Sequence, residues 1–184
     1  KRFGRYYAID RDGLLYPHGI VEPGKGLSPE VALRSQAPGD QLGLIFIDTL
    51  DQMPPRPDNL GVLKLKAPYT EGTVVMQGHV ELAPGGSGSA IPALSPPTPD
   101  QSNSLVRIPL HLLGINFNGV LYASGTITLS GRVRLYGAVL AEETIARSDS
   151  GSSLEVWYDH DFGEGLFRGL PVVYRAPGTW IARF

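Results

Sequence analysis

The chain has 184 residues, including 23 glycines and 16 prolines, both well above their average shares of about 7% and about 5%. Charged residues make up 18% and the formal net charge is −2, which argues against a general nucleic-acid-binding domain. The hydrophobic content of 42% is enough for a core, but so many helix-breaking residues exclude a helical bundle and favour short strands joined by turns. Cysteine is absent, which excludes disulfides, thiolate metal sites and cysteine nucleophiles.

Residues 1–40 are predicted to form an N-terminal capping or linker segment. Within it, YAIDRDG contains Asp10 and Asp12, which resemble the start of a calcium loop, although the later ligands of such a loop are missing. A turn is the favoured interpretation, because aspartate readily hydrogen-bonds its own backbone in turns. LSPEVALRSQ is the best helix candidate, with Ser28 as N-cap and Pro29 at the first helical position.

A six-residue repeat runs through residues 119–148, in the units GVLYAS, GTITLS, GRVRLY, GAVLAE and ETIARS. Because six is an even number, the third and fifth residues of each unit fall on one apolar face and leave a polar face opposite. The alternation is far longer than an ordinary strand, so the chain must bend, and the glycines that open four units are where bending is least hindered. Related units begin at Gly43, Gly61 and Gly72.

This repeat predicts an all-β domain over residues 41–184, namely a β-solenoid whose short strands stack on equivalents in the next coil, with short capping segments at its ends. An antiparallel β-meander or barrel with one bent strand is the alternative. Residues 84–104 are rich in proline and lack apolar alternation, so they are predicted to form an inserted, exposed loop.

The polar face of the repeat carries the candidate ligand-binding residues. Arg132 and Arg134 lie on it together with Tyr122 and Tyr136. Arginine can contact phosphates while aromatic rings stack on bases, so the four residues form a candidate DNA-binding or ligand-binding stripe. A solvated β face is the favoured interpretation, since arginine, threonine and tyrosine are ordinary there, and the binding stripe is the alternative.

Asp159 and Asp161 flank His160 and would point to the same side if the chain is extended there. Their oxygens suit a hard cation, but a solvated turn is the favoured interpretation. The sequence contains neither an HExxH nor a GxSxG motif, and the repeat shows no carboxylate before Glu142. No catalytic residue and no cofactor are therefore predicted.

Four segments carry a family resemblance when taken in chain order: GLIFIDTL, the block GVLYASGTITLSGRVRLYGAVLA, LEVWYD, and LPVV followed by PGTW. From about residue 40 onward, the chain resembles the C-terminal β-solenoid region of PilX-like, competence-associated type IV minor pilins. The resemblance implies a non-enzymatic domain on the pilus or cell surface, periplasmic or extracellular, that contributes to pilus assembly, adhesion or DNA uptake. It implies other pilin subunits as partners, and DNA or a surface polysaccharide as ligands.

In that family a hydrophobic N-terminal helix anchors the protein in the membrane, and the resemblance places such a helix upstream of residue 1. Two further functions stay open on the sequence. One is a carbohydrate-binding or carbohydrate-active β-solenoid at the cell surface. The other is a polymer-forming scaffold whose coils stack end to end.

Overall fold

The computed structural model describes residues 4–40, 42–56, 58–94, 98–101 and 105–158. These ranges form a mostly β fold with a short helix α1 at Pro29–Ala32. The strands, in chain order, are β1 Gly4–Ile9, β2 Leu15–Pro17, β3 Leu44–Thr49, β4 Val62–Leu65, β5 Thr70–Met76, β6 His79–Leu82, β7 Ser89–Leu94, β8 Thr98–Pro99, β9 Leu105–Val106, β10 Pro109–Ile115, β11 Phe117–Ala123, β12 Ile127–Leu129, β13 Arg132–Ala141, β14 Ile145–Arg147 and β15 Ser153–Trp157.

Two sheets dominate the fold. The larger has seven strands in the order β15-β13-β11-β5-β3-β1-β2, and the smaller has four in the order β14-β12-β6-β4. All neighbours in both are parallel except the antiparallel pair β1–β2. Two small antiparallel sheets, β7–β10 and β8–β9, complete the described strands.

The predicted hexad β-solenoid is wrong, and so is the alternative of an antiparallel meander or barrel. Parallel and antiparallel pairs occur together, and the large sheet itself is mixed. In an uninterrupted hexad solenoid, equivalent residues would stack at one constant interval along the chain. Here Ile45 pairs with Val74, Val74 with Leu121, and Leu121 with Val139, so the interval changes at each step. The structure supports a mostly β fold built from mixed sheets.

The predicted alternation of buried and exposed residues is confirmed over most of the repeat. Leu121, Ile127 and Leu135 are fully buried and belong to one hydrophobic core with apolar residues of both main sheets. The pattern weakens at its C-terminal end, where Val139 is only partly buried and Ile145 is 41% exposed. A period of two therefore identified the core face correctly.

The glycines of the repeat serve two purposes, and only one of them is bending. Gly125 and Gly131 lie in the connections between strands, as predicted. Gly72, Gly119 and Gly137 instead lie inside β5, β11 and β13 and pair directly across the sheet, with φ angles of 153°, 137° and 131°. A Cβ on Gly119 would overlap the carbonyl oxygen of Gly72, and one on Gly137 would overlap that of Gly119. We call these three residues the glycine ladder.

Strand β7 lies inside the segment that was predicted to be a loop, residues 84–104. It pairs with β10, and Ile91 packs with Ile115 and Tyr69 in a second hydrophobic cluster. Pro92 is compatible with this strand because the sheet has only two strands, so its missing N–H need not face a partner. The prediction of an exposed loop throughout residues 84–104 is therefore wrong, because its proline-rich composition did not indicate strand β7.

The N-terminal residues belong to the same sheet and core as the rest. β1 runs parallel to β3, and Tyr7 and Ile9 pack in the main core. The predicted helix is confirmed: Pro29 opens it, and the Val31 N–H donates to Ser28 Oγ at 3.3 Å. None of the helical structure in the described ranges has the length and hydropathy needed to cross a membrane.

Candidate functional site

The predicted arginine stripe is paired with an acidic residue of the neighbouring strand. In the parallel register of β13 and β15, Arg134 lies opposite Glu155. Arg134 Nε donates to Glu155 Oε2 at 3.0 Å, and its Nη1 donates to the Leu113 carbonyl at 2.9 Å. Arg132, with its side chain 67% exposed, reaches the same Glu155 oxygen at 3.4 Å. One carboxylate thus offsets part of the charge of both arginines.

Glu155 is also bound by an aromatic side chain, since Trp157 Nε1 donates to its Oε1 at 2.9 Å. Partial desolvation acts against ionisation, but the Trp157 hydrogen bond and the two arginines outweigh it and hold the pKa of Glu155 below its usual value. We call Arg132, Arg134, Glu155 and Trp157 the β13–β15 face. It combines cations with an exposed aromatic ring, but its net charge is only about +1.

The two candidate tyrosines do not lie together. Tyr136 pairs with Asn118 of β11, whereas Tyr122 pairs with Leu140 of β13. The two tyrosines are thus four positions apart along the strands, about 13 Å at roughly 3.3 Å per residue. Tyr136 is partly buried against the second hydrophobic cluster. The structure therefore gathers Tyr136 with the arginines and places Tyr122 elsewhere.

The weak metal candidates fall into two groups. Asp10 forms the predicted turn: its Oδ1 accepts from the Leu14 N–H at 2.8 Å, its Oδ2 from the Tyr16 hydroxyl at 3.0 Å, and Asp12 is exposed. Asp159 and Asp161 lie outside the described residues. Within the described ranges, no three or more His, Asp or Glu side chains are grouped in a way that could hold a metal ion.

Tyr122 lines a groove of about 390 Å³ that the sequence did not predict. One wall is formed by the connections that lead from the large sheet to the small one. Gln77 comes from the β5–β6 connection, Ser124 from β11–β12, and Glu142 and Glu143 from β13–β14. The parallel stacking of the strands places these connections one above another, which brings together residues far apart in sequence.

The carboxylates of this wall are held by hydroxyl groups. The Tyr122 hydroxyl donates to Glu142 Oε1, and the Thr126 hydroxyl donates to Glu143 Oε2 at 2.8 Å. Burial, followed by the hydrogen bond and charge of Glu142, raises the pKa of Tyr122 to about 12. Tyr122 therefore remains a neutral hydrogen-bond donor over the physiological range. The Ser124 hydroxyl oxygen is buried and has no hydrogen-bond partner among the described residues.

The opposite wall is a cross-linked loop between β3 and β4. Arg56 Nη2 donates to Asp51 Oδ2 at 2.8 Å, and its Nε donates to Asp58 Oδ1 at 3.3 Å. Asp51 also accepts from the Met53 N–H at 3.1 Å and the Asn59 amide at 3.0 Å. The Met53 hydrogen bond is the largest of the effects that lower the pKa of Asp51. Arg56, at the edge of the groove, is therefore ion-paired with both Asp51 and Asp58.

A buried carboxyl group lies on the outer side of β5, and no sequence motif indicated it. Glu71 is 4% exposed and accepts from the Tyr69 hydroxyl and from the Gly39 N–H, the latter at 2.9 Å. The Glu71 N–H donates to Ser35 Oγ at 2.9 Å, and the Asn118 amide donates to the Tyr69 hydroxyl at 3.3 Å. This network fastens the segment after α1 to the sheet, which indicates a structural role.

The buried Tyr69 predicts a loss of stability at alkaline pH. Burial, and then the hydrogen bond to Glu71, raise the pKa of Tyr69 above the unfolded value near 10. The stabilisation is therefore complete below pH 10 and is lost as the pH rises toward the folded pKa.

We expect the free energy of unfolding, measured with urea between pH 8 and 11, to fall above pH 10. Unfolding above pH 10 releases the Tyr69 proton, so Tyr69→Phe should lower the number of protons released on unfolding at pH 11 by about one. Exposed Tyr158→Phe is the control, and equal slopes in both variants would contradict the prediction.

Neither a protein-family model nor a curated protein nor a solved structure matches the chain.

Proposed function

We propose that the chain is a non-enzymatic, minor-pilin-like domain that acts on a type IV pilus at the cell surface, in pilus assembly, adhesion or DNA uptake. The pilus assignment rests on the order of the four sequence segments described above. The observation that supports a presenting scaffold is the glycine ladder, which pairs directly across β5, β11 and β13, where a Cβ on Gly119 or Gly137 would overlap a carbonyl oxygen of the next strand. Such a stack holds surface groups in fixed positions at little entropic cost on binding.

Gene deletion with complementation tests this function. The deletion strain should lose or reduce surface pili, adhesion or DNA uptake, and the wild-type gene should restore them. A complementing gene that carries the destabilising core substitution Leu121→Ala should fail to restore function. One that carries the surface control substitution Leu113→Ala should restore it. Normal piliation, adhesion and DNA uptake in the deletion strain would overturn the proposal.

The DNA-uptake part of the proposal has its own test on the β13–β15 face. Glu155 competes with phosphate for both arginines, so Glu155→Gln should strengthen binding to duplex DNA. Arg132→Ala should weaken binding and reduce the salt slope by about one, the contribution of one phosphate contact. If both variants bound duplex DNA with the wild-type affinity at several salt concentrations, this face would be excluded as the DNA contact.

A further inference from the structure

The groove beside Tyr122 is large enough for a small ligand, and the fold itself supports one of its walls. Its volume of about 390 Å³ falls in the range of roughly 300–1,000 Å³ that is usual for such sites. One wall is supported by backbone hydrogen bonds between stacked connections, including Ser124 N–H to Met76 O at 2.9 Å and Glu142 N–H to Ala123 O at 3.0 Å. The other wall is the loop cross-linked by Arg56. The first wall is thus held by the fold itself, which reduces the entropic cost of binding.

The charges around the groove disfavour an anionic ligand. Glu142 and Glu143 have hydroxyl partners, and neither has a cationic partner among the described residues. The nearby Arg56 is already shared by Asp51 and Asp58. The groove therefore carries an excess of negative charge and would repel phosphate groups. Nucleic acid is a poor candidate for this part of the surface.

The polar groups of the groove suit a ligand that both donates and accepts hydrogen bonds. The carboxylates of Glu142 and Glu143 only accept, the Arg56 guanidinium only donates, and the Gln77 amide does both. A sugar hydroxyl can satisfy either kind of group, and its bond to a carboxylate is charge-assisted and strong. Tyr122 adds an apolar ring body beside a polar tip. A purely cationic ligand would use the acceptors but would leave the N–H donors of Arg56 and Gln77 without a partner.

We propose that this groove binds a neutral saccharide, with Glu142, Glu143 and Gln77 contacting its hydroxyl groups. The proposal deepens the adhesion role proposed above, because it names the ligand class, but the binding itself can be measured without pili. In this assignment Tyr122 positions Glu142 through its hydroxyl, and Arg56 supplies a donor from the opposite wall.

The test uses the purified 184-residue chain on an array of neutral oligosaccharides containing glucose, galactose, mannose or N-acetylglucosamine. Titration calorimetry then measures the affinity for the strongest binder. We expect saturable binding of at least one of these sugars, and a loss of at least tenfold in affinity for Glu142→Gln and for Gln77→Ala. Glu81→Gln is the matched control, since Glu81 lies near Lys64 on the small sheet and does not line the groove. That variant should bind as the wild type does.

Several outcomes would overturn the proposal. These are no binding to any neutral sugar, unchanged affinity in both groove variants, or selective binding of an oligolysine peptide or duplex DNA at the groove. Thermal unfolding of each variant shows whether the fold is retained, and Glu143→Gln provides a second groove variant if one of the first two is unfolded. A negative sugar result together with defective piliation in the deletion strain would refute the ligand and leave the pilus function standing.

Discussion

Gly119→Ala is expected to destabilise the protein by about 2–6 kcal/mol. The residue lies inside β11 with a φ of 137°, which L side chains rarely adopt, and such backbone strain costs about 1–3 kcal/mol. In addition, the new methyl group would overlap the Gly72 carbonyl oxygen, and relieving such an overlap costs a further 1–3 kcal/mol or so. Urea denaturation of the purified chain would measure the difference directly, and a fall of several degrees in Tm would accompany it.

Gly131→Ala is the matched control for this substitution. Gly131 also has a positive φ, 76°, but nothing lies within 4 Å of a Cβ built on it. The substitution therefore adds strain without overlap and is expected to cost about 1–2 kcal/mol. If the two variants were equally stable, the overlap of the new methyl group with the Gly72 carbonyl oxygen would add nothing to the cost of backbone strain. Gly137→Ala should behave like Gly119→Ala, because its methyl group would overlap the Gly119 carbonyl oxygen.

Leu121→Ala is expected to lower the free energy of unfolding by about 3–4 kcal/mol. Leu121 is fully buried in the main core, and its strand lies between β5 and β13. Truncation removes buried apolar surface and leaves a cavity that the hydrogen-bonded strands on both sides can close only in part. Exposed Leu113 provides a control of the same chemistry, because it is 66% exposed and Leu113→Ala should cost well under 1 kcal/mol. Similar losses in the two variants would contradict the assignment of the core face.

The features that could be predicted from the sequence are those encoded within a few residues. Alternation with period two identified Leu121 and Ile127 as core residues, and they are buried. Ser28 followed by Pro29 predicted the start of α1, because both residues act on the backbone of the adjacent turn. Asp10 likewise predicted its own turn.

The features that could not be predicted depend on which distant strands pair. Glu155 neutralises part of the arginine stripe only because β15 lies beside β13 in one particular register. Glu71 and Glu81 both lie in parallel strands of the two main sheets, yet only Glu71 is buried. The ladder glycines look like bending points until β5, β11 and β13 are placed side by side. The alternation of residues within a strand indicates which face is buried, but it does not indicate which strands lie beside it.

The same limit explains why the groove was missed. Gln77, Ser124 and Glu142 are widely separated in the sequence, and each alone is an ordinary polar residue in a turn. They meet because three connections between the main sheets are stacked by the parallel register. The nearest sequence signal is that Tyr122 lies near the C-terminal end of β11 and Glu142 directly after the end of β13, the neighbouring strand of the large sheet.

The direct pairing of β11 with β5 and of β12 with β6 has a consequence for how this chain tolerates insertions. The segment between β6 and β11 leaves the stack and returns to the position immediately beside its point of departure. Its ends are therefore held close together whatever its length, and doubling a flexible loop costs only about 0.6 kcal/mol in closure entropy. Additional residues there would extend the protein outward without disturbing the core register, whereas even one extra residue inside β5 or β11 would turn its apolar side chains outward.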